Sequence, residues 1–313
     1  MKAVLLIFVL ALANCHVSEP FITKEHLTEI KEKSSFETYS FEEHPFRNWS
    51  ESDIRSLLGT IVPTSTPTAV DMGEGCDVPE SFDGREQWPE YIHKIRDQQR
   101  CGSCWAFAAS EVLSDRFAIA TKGKVNVVLS PQDLVSCDKG DMGCNGGYLD
   151  KSWEYLKKTG IVSDECLKYT SGGGVSGKCP KDILNKKCPN GKPFHKFHAK
   201  SYQHFSNNCA IKKSLMSEGS VETGFTVYSD FMSYKSGIYK SNCSGIMGGH
   251  AVKIVGWGVE DGTEYWIIAN SWNTSWGEKG FVRVQTGQSC LNLDTQCYAG
   301  TPDVDRLFKE AFE

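Results

Sequence analysis

Two cysteines three residues apart stand in the segment QQRCGSCWAF at 98–107. A run of helix-forming residues begins at the second of them, Cys104, so the positive end of a helix dipole is expected beside this thiol. A thiol in that position loses its proton more easily, and the thiolate is the nucleophilic form of cysteine. The pattern therefore indicates that Cys104 can act as a nucleophile.

A nucleophilic thiol needs a base, a group that orients the base, and donors for an oxyanion. His250 stands in GGHAV at 248–252, at the mouth of a predicted strand, and Asn270 follows the next predicted strand. The turn EDGT at 260–263 predicts that these strands form a hairpin. Adjacent strands can bring the two side chains together, so that the amide fixes the imidazole tautomer. Taken singly, either residue is more often structural, but the set in this order predicts a catalytic site.

The same segments resemble the papain-like cysteine peptidases, and the cathepsin B branch in particular. That family is known by such a cysteine signature with a downstream histidine and asparagine. The matching segments are DQQRCGSCWAF (97–107), GCNGGY (143–148), FTVYSDFMSYKSGIY (225–239), GGHAV (248–252) and YWIIANSWNTSWGEKGF (265–281). With SFDGREQWP at 81–89, the resemblance extends from residue 78 to residue 302.

The resemblance implies a role for each matching residue. Cys104 corresponds to the nucleophile, held as a thiolate beside the His250 imidazolium. Asn270 corresponds to the residue that orients His250, and Trp272 to the ring that shields their hydrogen bond from water. Gln98 corresponds to the amide that donates to the oxyanion beside the Cys104 backbone N–H. The implied reaction is acyl transfer through a thioester.

The substrate cleft is implied in the same way. Gly146 and Gly147 correspond to an edge whose backbone pairs with an extended peptide. Alignment back from AGTP at 299–302 places Gln296 at the base of the P2 pocket, where cathepsin B has a glutamate. The expected walls of this pocket are Leu149, Gly224 and Ala251. A neutral amide offers a buried guanidinium no ion pair, so we expect hydrophobic P2 residues to be preferred over arginine.

Two departures from the family pattern concern the approach to this site. Cathepsin B has an occluding loop with adjacent histidines, but the segment LKYTSGGGVSGK at 167–178 contains no histidine. The histidines at 195, 198 and 204 come later in the chain. We therefore expect an open primed side and endopeptidase activity. Gln99 replaces a glycine of the family, and we expect its side chain to narrow the approach to S1.

The chain divides into three predicted parts. Residues 1–15 form a signal peptide, with Lys2 before an apolar run at 3–13 and possible cleavage sites after Ala13 and after Cys15. Residues 16–77 form an inhibitory pro-segment with weak helices, in which Leu58-Gly59-Thr60 matches the part that crosses the cleft, and a linker, PTSTPT, at 63–68. Residues 78–313 form the peptidase, with helices first and strands beyond about 200. This order predicts an α+β, papain-like fold of two lobes, a helical left domain and a β-barrel-like right domain around the cleft.

The sequence contains 13 cysteines. A zinc site is the main alternative to disulfides, but the single C-x-x-C has no second pair, so no metal is expected. Without Cys15, Cys76 and Cys104, ten cysteines remain. The family pattern implies the bridges Cys101–Cys144, Cys137–Cys179, Cys166–Cys188 and Cys243–Cys290. Elimination alone leaves Cys209–Cys297.

Composition and targeting restrict the partners. The net charge of −5 gives no reason to expect nucleic acid, and no segment after the signal peptide is long enough to span a membrane. We expect a monomer of the secretory pathway, lysosomal or extracellular, without a cofactor, with sequons at Asn48, Asn242 and Asn273. Its expected partners are peptide and protein substrates, its own pro-segment and cystatin-type inhibitors. An inactive peptide-binding homologue and a disulfide-rich structural domain are the alternatives, and labelling of Cys104 by an epoxide inhibitor separates them.

Overall fold

The computed structural model describes residues 19–61, 76–191 and 193–312. The predicted signal peptide and the Pro/Thr linker lie outside the described residues. The helices are α1 Lys24–Lys33, α2 Glu51–Arg55, α3 Gly84–Gln87, α4 Cys104–Ala120, α5 Pro131–Cys137, α6 Leu149–Lys158, α7 Lys181–Leu184, α8 Asn208–Glu218 and α9 Val304–Phe312. In these ranges no helix is long and apolar enough to cross a bilayer.

The strands gather in the second half of the chain, as predicted. They are β1 Glu37–Thr38, β2 Phe82–Asp83, β3 Ala199–Phe205, β4 Val221–Tyr228, β5 Tyr234–Ser236, β6 Ile238–Tyr239, β7 Ile246–Glu260, β8 Thr263–Ala269, β9 Phe281–Gln285 and β10 Cys297–Pro302. The main sheet has eight strands in the order β3-β10-β4-β7-β8-β9-β6, with β2 paired to β7. In the described chain β3 and β6, at the two ends of this order, do not pair with each other, so the sheet is not a closed barrel.

Helix α4 is the element around which the two lobes pack. Its apolar residues point in all directions, which is the pattern of a helix buried on every side. Residues from Cys104 to Ala118 are all buried along it. It contacts α5 and α6 of the helical lobe and β4, β7 and β10 of the sheet. Because α4 begins at Cys104, its N-terminus lies where the lobes meet.

The predicted pro-segment, called the pro-segment below, packs against the strand lobe and then enters the cleft. Strand β1 pairs with β5, and α2 begins at a capping box in which Ser50 and Asp53 bond reciprocally. A five-residue helix is not stable alone, so α2 depends on the burial of its apolar side. Ile54 and Leu57 provide that side and are 0% and 1% exposed.

Five disulfides cross-link the described chain, and four of them are the pairs that the resemblance implies. The expected bridge Cys209–Cys297 is wrong, because Cys209 at the start of α8 is bonded to Cys76. Cys297, the first residue of β10, is a free buried thiol 3.2 Å from the Leu293 carbonyl oxygen. The elimination failed because it discarded Cys76 together with the pro-segment.

Candidate active site

The nucleophile candidate lies at the first residue of α4. Cys104 is 0% exposed. The loop before it is fixed by the disulfide Cys101–Cys144 and by the Gly102 N–H, which donates to the Cys144 carbonyl over 3.0 Å. A side chain at Gly102 would lie 2.6 Å from that carbonyl oxygen, so only glycine permits this approach. The backbone therefore holds the thiol at the helix N-terminus.

The predicted hairpin brings His250 and Asn270 together. His250 lies on β7, Asn270 directly follows β8, and the Asn270 Oδ1 lies 2.8 Å from His250 Nε2. Because a carbonyl oxygen can only accept, Nε2 is the protonated nitrogen and Nδ1 is the basic one. Nδ1 is buried without a hydrogen-bond partner in the described part of the chain. The Trp272 ring stacks on the imidazole at 4.6 Å and covers it.

Gln98 is completely buried and its amide is fully bonded. Its Oε1 accepts from the Ser271 hydroxyl over 2.7 Å, which orients the amide. Its Nε2 donates to the carbonyls of Cys101 and Leu57 over 2.8 and 2.9 Å. Leu57 belongs to the pro-segment, so a peptide carbonyl occupies the donor that an oxyanion would need.

The pro-segment also contacts the Cys104 thiol directly. The Gly59 N–H donates to the Cys104 Sγ over 3.4 Å, and the Thr60 hydroxyl lies 3.2 Å from it. Burial raises the pKa of the Cys104 thiol. Burial likewise lowers the pKa of His250 to about 4. The hydrogen bonds from Gly59 and Thr60 favour the thiolate, but burial outweighs them, so the thiolate expected from the helix dipole is not favoured in this state.

The expected substrate edge is paired with the same segment. Gly147 donates to the Gly59 carbonyl over 2.8 Å and accepts from the Ile61 N–H over 2.9 Å. A Cβ at Gly147 would lie 2.5 Å from the Trp105 ring, and Gly146 has φ of 113°, a conformation that favours glycine. The two glycines thus allow an extended chain to lie against this edge.

The residues expected to form the P2 pocket surround the last residues of the pro-segment described before the linker. Leu149, Gly224 and Gln296 line a small pocket together with Thr60 and Ile61 of the pro-segment. Ala251 lies opposite Gly224 in the β4–β7 ladder. Two further lining residues, Asp150 and Tyr298, were missed by the sequence reasoning. The Tyr298 hydroxyl is buried without a partner among the described residues.

Two supporting residues also escaped the sequence reasoning. Ser271 orients Gln98, and its position directly after Asn270 was the available signal. The Tyr169 hydroxyl donates to the Gln98 carbonyl over 2.8 Å and lies 2.9 Å from the Ser103 hydroxyl. Nothing in the glycine-rich segment around Tyr169 indicated that contact.

The segment that replaces the occluding loop lies beside Gln99. Gln99 has φ of 53°, and its side chain packs against Gly172. The later histidines are placed elsewhere: His198 contacts the Lys157 carbonyl, and His204 contacts the Thr295 carbonyl at 2.9 Å. In the described ranges no group of three or more His, Cys, Asp or Glu could hold a metal ion.

Known proteins share this architecture. The family model for papain family cysteine protease matches residues 78–301. Cathepsin B-like CP2 of Giardia intestinalis is 39% identical over 302 residues, covering 92% of this chain and 97% of that protein. Cathepsin B-like cysteine proteinase 5 of Caenorhabditis elegans is 40% identical over 261 residues, covering 73% of this chain and 76% of that protein. The solved structure of proCathepsin B S9 from Trypanosoma congolense has a TM-score of 0.81 at 30% identity, over 91% of this chain and 99% of that one.

Proposed function

Because this chain belongs to the papain family of cysteine proteases, we propose that it is a cathepsin B-like endopeptidase made as a latent precursor. The observation that carries the proposal is that one peptide segment occupies the thiol, the Gln98 amide and the Gly147 edge at once. A substrate needs the same three contacts. The segment therefore supports the assignment of this cleft as the peptide-binding site and also explains latency.

In the mature enzyme the reaction uses these groups in order. The Cys104 thiol gives its proton to Nδ1 of His250, and the thiolate attacks the carbonyl carbon of the scissile bond. The developing oxyanion takes the Gln98 Nε2 donor that Leu57 occupies in the precursor, together with the Cys104 backbone N–H. The C–N bond breaks as His250 protonates the amine, which leaves a thioester. A water then hydrolyses the thioester, and its proton returns through His250 to the thiol.

The site of pro-segment removal follows from the disulfide between Cys76 and Cys209. A cut after residue 77 would leave the pro-segment covalently attached through Cys76, whereas a cut in the linker leaves Cys76 on the enzyme side and frees the segment before it. We therefore place the cut in the Pro/Thr linker at 63–68, so that the enzyme keeps Cys76 and begins ahead of the expected mature start near Val78. The disulfides require an oxidising compartment, which supports a lysosomal or extracellular location. We further propose that the enzyme is a monomer and that cystatin-type proteins inhibit it.

Endopeptidase activity follows from the leaving-group side of the cleft. The short segment at 167–178 supplies no histidine there that could hold a substrate's terminal carboxylate. The proposed hydrophobic P2 preference rests on Leu149 and on the neutral Gln296 amide at the base of the pocket, and it requires that Asp150, a carboxylate of the same lining, does not pair with a P2 arginine. Both features distinguish the proposed activity from that of cathepsin B.

Cleavage of internally quenched peptides by the acid-activated precursor tests the proposal. We expect cleavage well inside the peptides, with Phe-Arg before the scissile bond preferred over Arg-Arg. Cys104→Ser should lower kcat by roughly a thousandfold or more, and Gln98→Ala by about a hundredfold or more. An epoxide inhibitor should label Cys104 of the native enzyme in a one-to-one ratio, and not after denaturation.

Three results would contradict the proposal. Release of C-terminal dipeptides alone would exclude the endopeptidase assignment. Efficient Arg-Arg cleavage would exclude the P2 assignment. Absence of both cleavage and labelling would favour an inactive peptide-binding homologue.

A further inference from the structure

Arg100 carries a charge on the wall of the cleft that catalysis does not use. Its backbone is fixed, since its N–H donates to the Gly172 carbonyl over 3.0 Å, but its side chain is 53% exposed. It lines a cavity of about 630 Å³ together with Trp272 and Asn273. The chain running from Leu57 to Ile61 crosses the thiol between this cavity and the P2 pocket. The cavity therefore lies on the leaving-group side.

The guanidinium meets two pro-segment side chains. Its centre lies 4.6 Å from the centroid of the Trp49 ring. Its Nε lies 3.6 Å from Oδ1 of Asp53, the carboxylate that also caps α2. When the pro-segment leaves, Arg100 loses both of these contacts.

Asp97, the neighbouring carboxylate of the enzyme, does not replace the contacts that Arg100 makes with the pro-segment. Asp97 lines the same cavity, but its Oδ1 accepts from the Gln99 N–H over 2.8 Å and its Oδ2 accepts from Asn273 Nδ2 over 3.2 Å. Both oxygens are thus engaged in holding the loop. The mature cleft keeps one exposed guanidinium whose partner in the precursor was a carboxylate.

We infer that Arg100 binds a substrate carboxylate on the leaving-group side, at the place that Asp53 takes in the precursor. This inference rests on the proposed function. A guanidinium recognises a carboxylate through parallel N–H donors, and the ligand can be an Asp or Glu side chain or the chain-terminal carboxylate. Because the side chain is half exposed, the expected preference is about two- to fivefold, the range of surface ion pairs.

Matched quenched peptides test this specificity. Each peptide carries Glu or the neutral isostere Gln at one of the first three positions after the scissile bond, and its C-terminus is amidated. A parallel set has Gln at all three positions and a free terminal carboxylate at the third. The enzymes are wild type, Arg100→Ser, Arg100→Lys and, as a charge control, Lys124→Ser, which lies past the end of α4 remote from Cys104.

At low salt we expect wild type and Lys124→Ser to prefer a carboxylate by about two- to fivefold in kcat/KM. The preference should vanish in Arg100→Ser, persist in part in Arg100→Lys, and shrink in molar salt because the charges are screened. A preference confined to the amidated Glu peptides identifies side-chain carboxylates, and one confined to the free termini identifies the chain end. Equal ratios in wild type and Arg100→Ser would overturn the inference, whereas no cleavage of any peptide would instead overturn the proposed function.

Discussion

The pro-segment and the two lobes meet the same cleft, but they are held by different kinds of contact. The charged contacts of the pro-segment lie at the surface: Lys235 pairs with Glu37 and Glu43, and these side chains are between 36% and 61% exposed. The lobes meet through Lys253 of β7 and Asp115 of α4, which are 1% and 0% exposed. Surface pairs contribute about 0–1 kcal/mol, whereas removing one partner of a buried pair costs about 3–5 kcal/mol.

The two kinds of contact indicate which part of the molecule can be released and which part stays fixed. Cys104 and His250 lie on α4 and β7. These two elements also carry the buried Lys253–Asp115 pair, so the ion pair fixes them relative to each other. The pro-segment instead buries neutral groups against the strand lobe, including His44, which is 0% exposed and lies 3.4 Å from the Ser233 hydroxyl. We therefore expect acid to release the segment without separating the lobes.

Breaking the interlobe pair gives the largest effect. Lys253→Met leaves the carboxylates of Asp115 and Glu111 buried without their cation, and we expect a loss of about 3–5 kcal/mol in the free energy of unfolding. Urea unfolding of the Cys104→Ser precursor measures it. The matched control is Lys235→Met, which removes an exposed pair and should cost less than about 1 kcal/mol. Similar losses of unfolding free energy in the two variants would mean that the interlobe pair is no stronger than the surface pairs of the pro-segment.

Acid release of the pro-segment is the next largest effect. Burial lowers the pKa of His44 from 6.5 to about 4 while the segment is docked. The stabilisation of docking is therefore complete above the free value and is lost as the pH falls from 6.5 towards 4. The full shift corresponds to about 3 kcal/mol, or more than about a hundredfold in the docking equilibrium. His250, whose pKa is also lowered to about 4, adds to the loss in the same direction.

Hydrogen exchange of the Thr60 and Gly147 amides in the Cys104→Ser precursor measures docking at each pH. We expect His44→Phe to keep more protection than the parent chain at pH 4, because only the His250 contribution remains. His195→Gln, a change outside the pro-segment beside Cys179 and Ile183 of the helical lobe, serves as the control. If His44→Phe and the parent lost protection in parallel, His44 would not be the acid-sensitive contact.

Much of the fold, and the position of His250 beside Asn270, could be predicted because local sequence encodes them, whereas the catalytic roles were implied by the resemblance and stay a prediction. The hairpin that joins His250 to Asn270 needs only two apolar strands and a turn, and the papain-like fold is confirmed by the procathepsin B neighbour. The crossing of the cleft by Leu58-Gly59-Thr60 was implied by the resemblance, and the structure places that segment on the thiol.

What escaped prediction depends on contacts between distant parts of the chain. The Cys76–Cys209 bridge spans 133 residues, and local sequence does not indicate such a pairing. The raised pKa of Cys104 comes from its burial in the packed structure, which outweighs the opposite effect of the hydrogen bonds from Thr60 and Gly59. Lys253 interrupts an apolar strand, where a lysine is expected to be exposed, and its partner on α4 becomes visible only in the packed structure.

A pair of carboxyls in the helical lobe gives the smallest effect and the opposite pH dependence. Burial, and then the charge of Asp138, raise the pKa of Asp141 to about 7. Asp141 also accepts from the Tyr148 N–H over 2.8 Å, next to the Gly146–Gly147 edge. A carboxyl whose pKa is raised by folding favours the folded state at low pH, and that stabilisation is lost as the pH rises from about 4 through about 7. Acid thus stabilises this part of the enzyme while it weakens pro-segment docking.

Asp138→Asn tests the effect of the Asp138 charge on Asp141. The amide oxygen can still accept from the Gly140 N–H, while the repelling charge is removed. We expect the variant to gain about 1 kcal/mol in unfolding free energy at pH 8 and nearly nothing at pH 5. The gain is smaller than the full pKa shift of Asp141 implies, because Asp138 is only half buried and solvent screens its charge. Urea unfolding of the mature enzyme, inactivated at Cys104, gives both values. An equal gain at both pH values would mean that the substitution acts through packing, and the two regions would then not respond to acid in opposite directions.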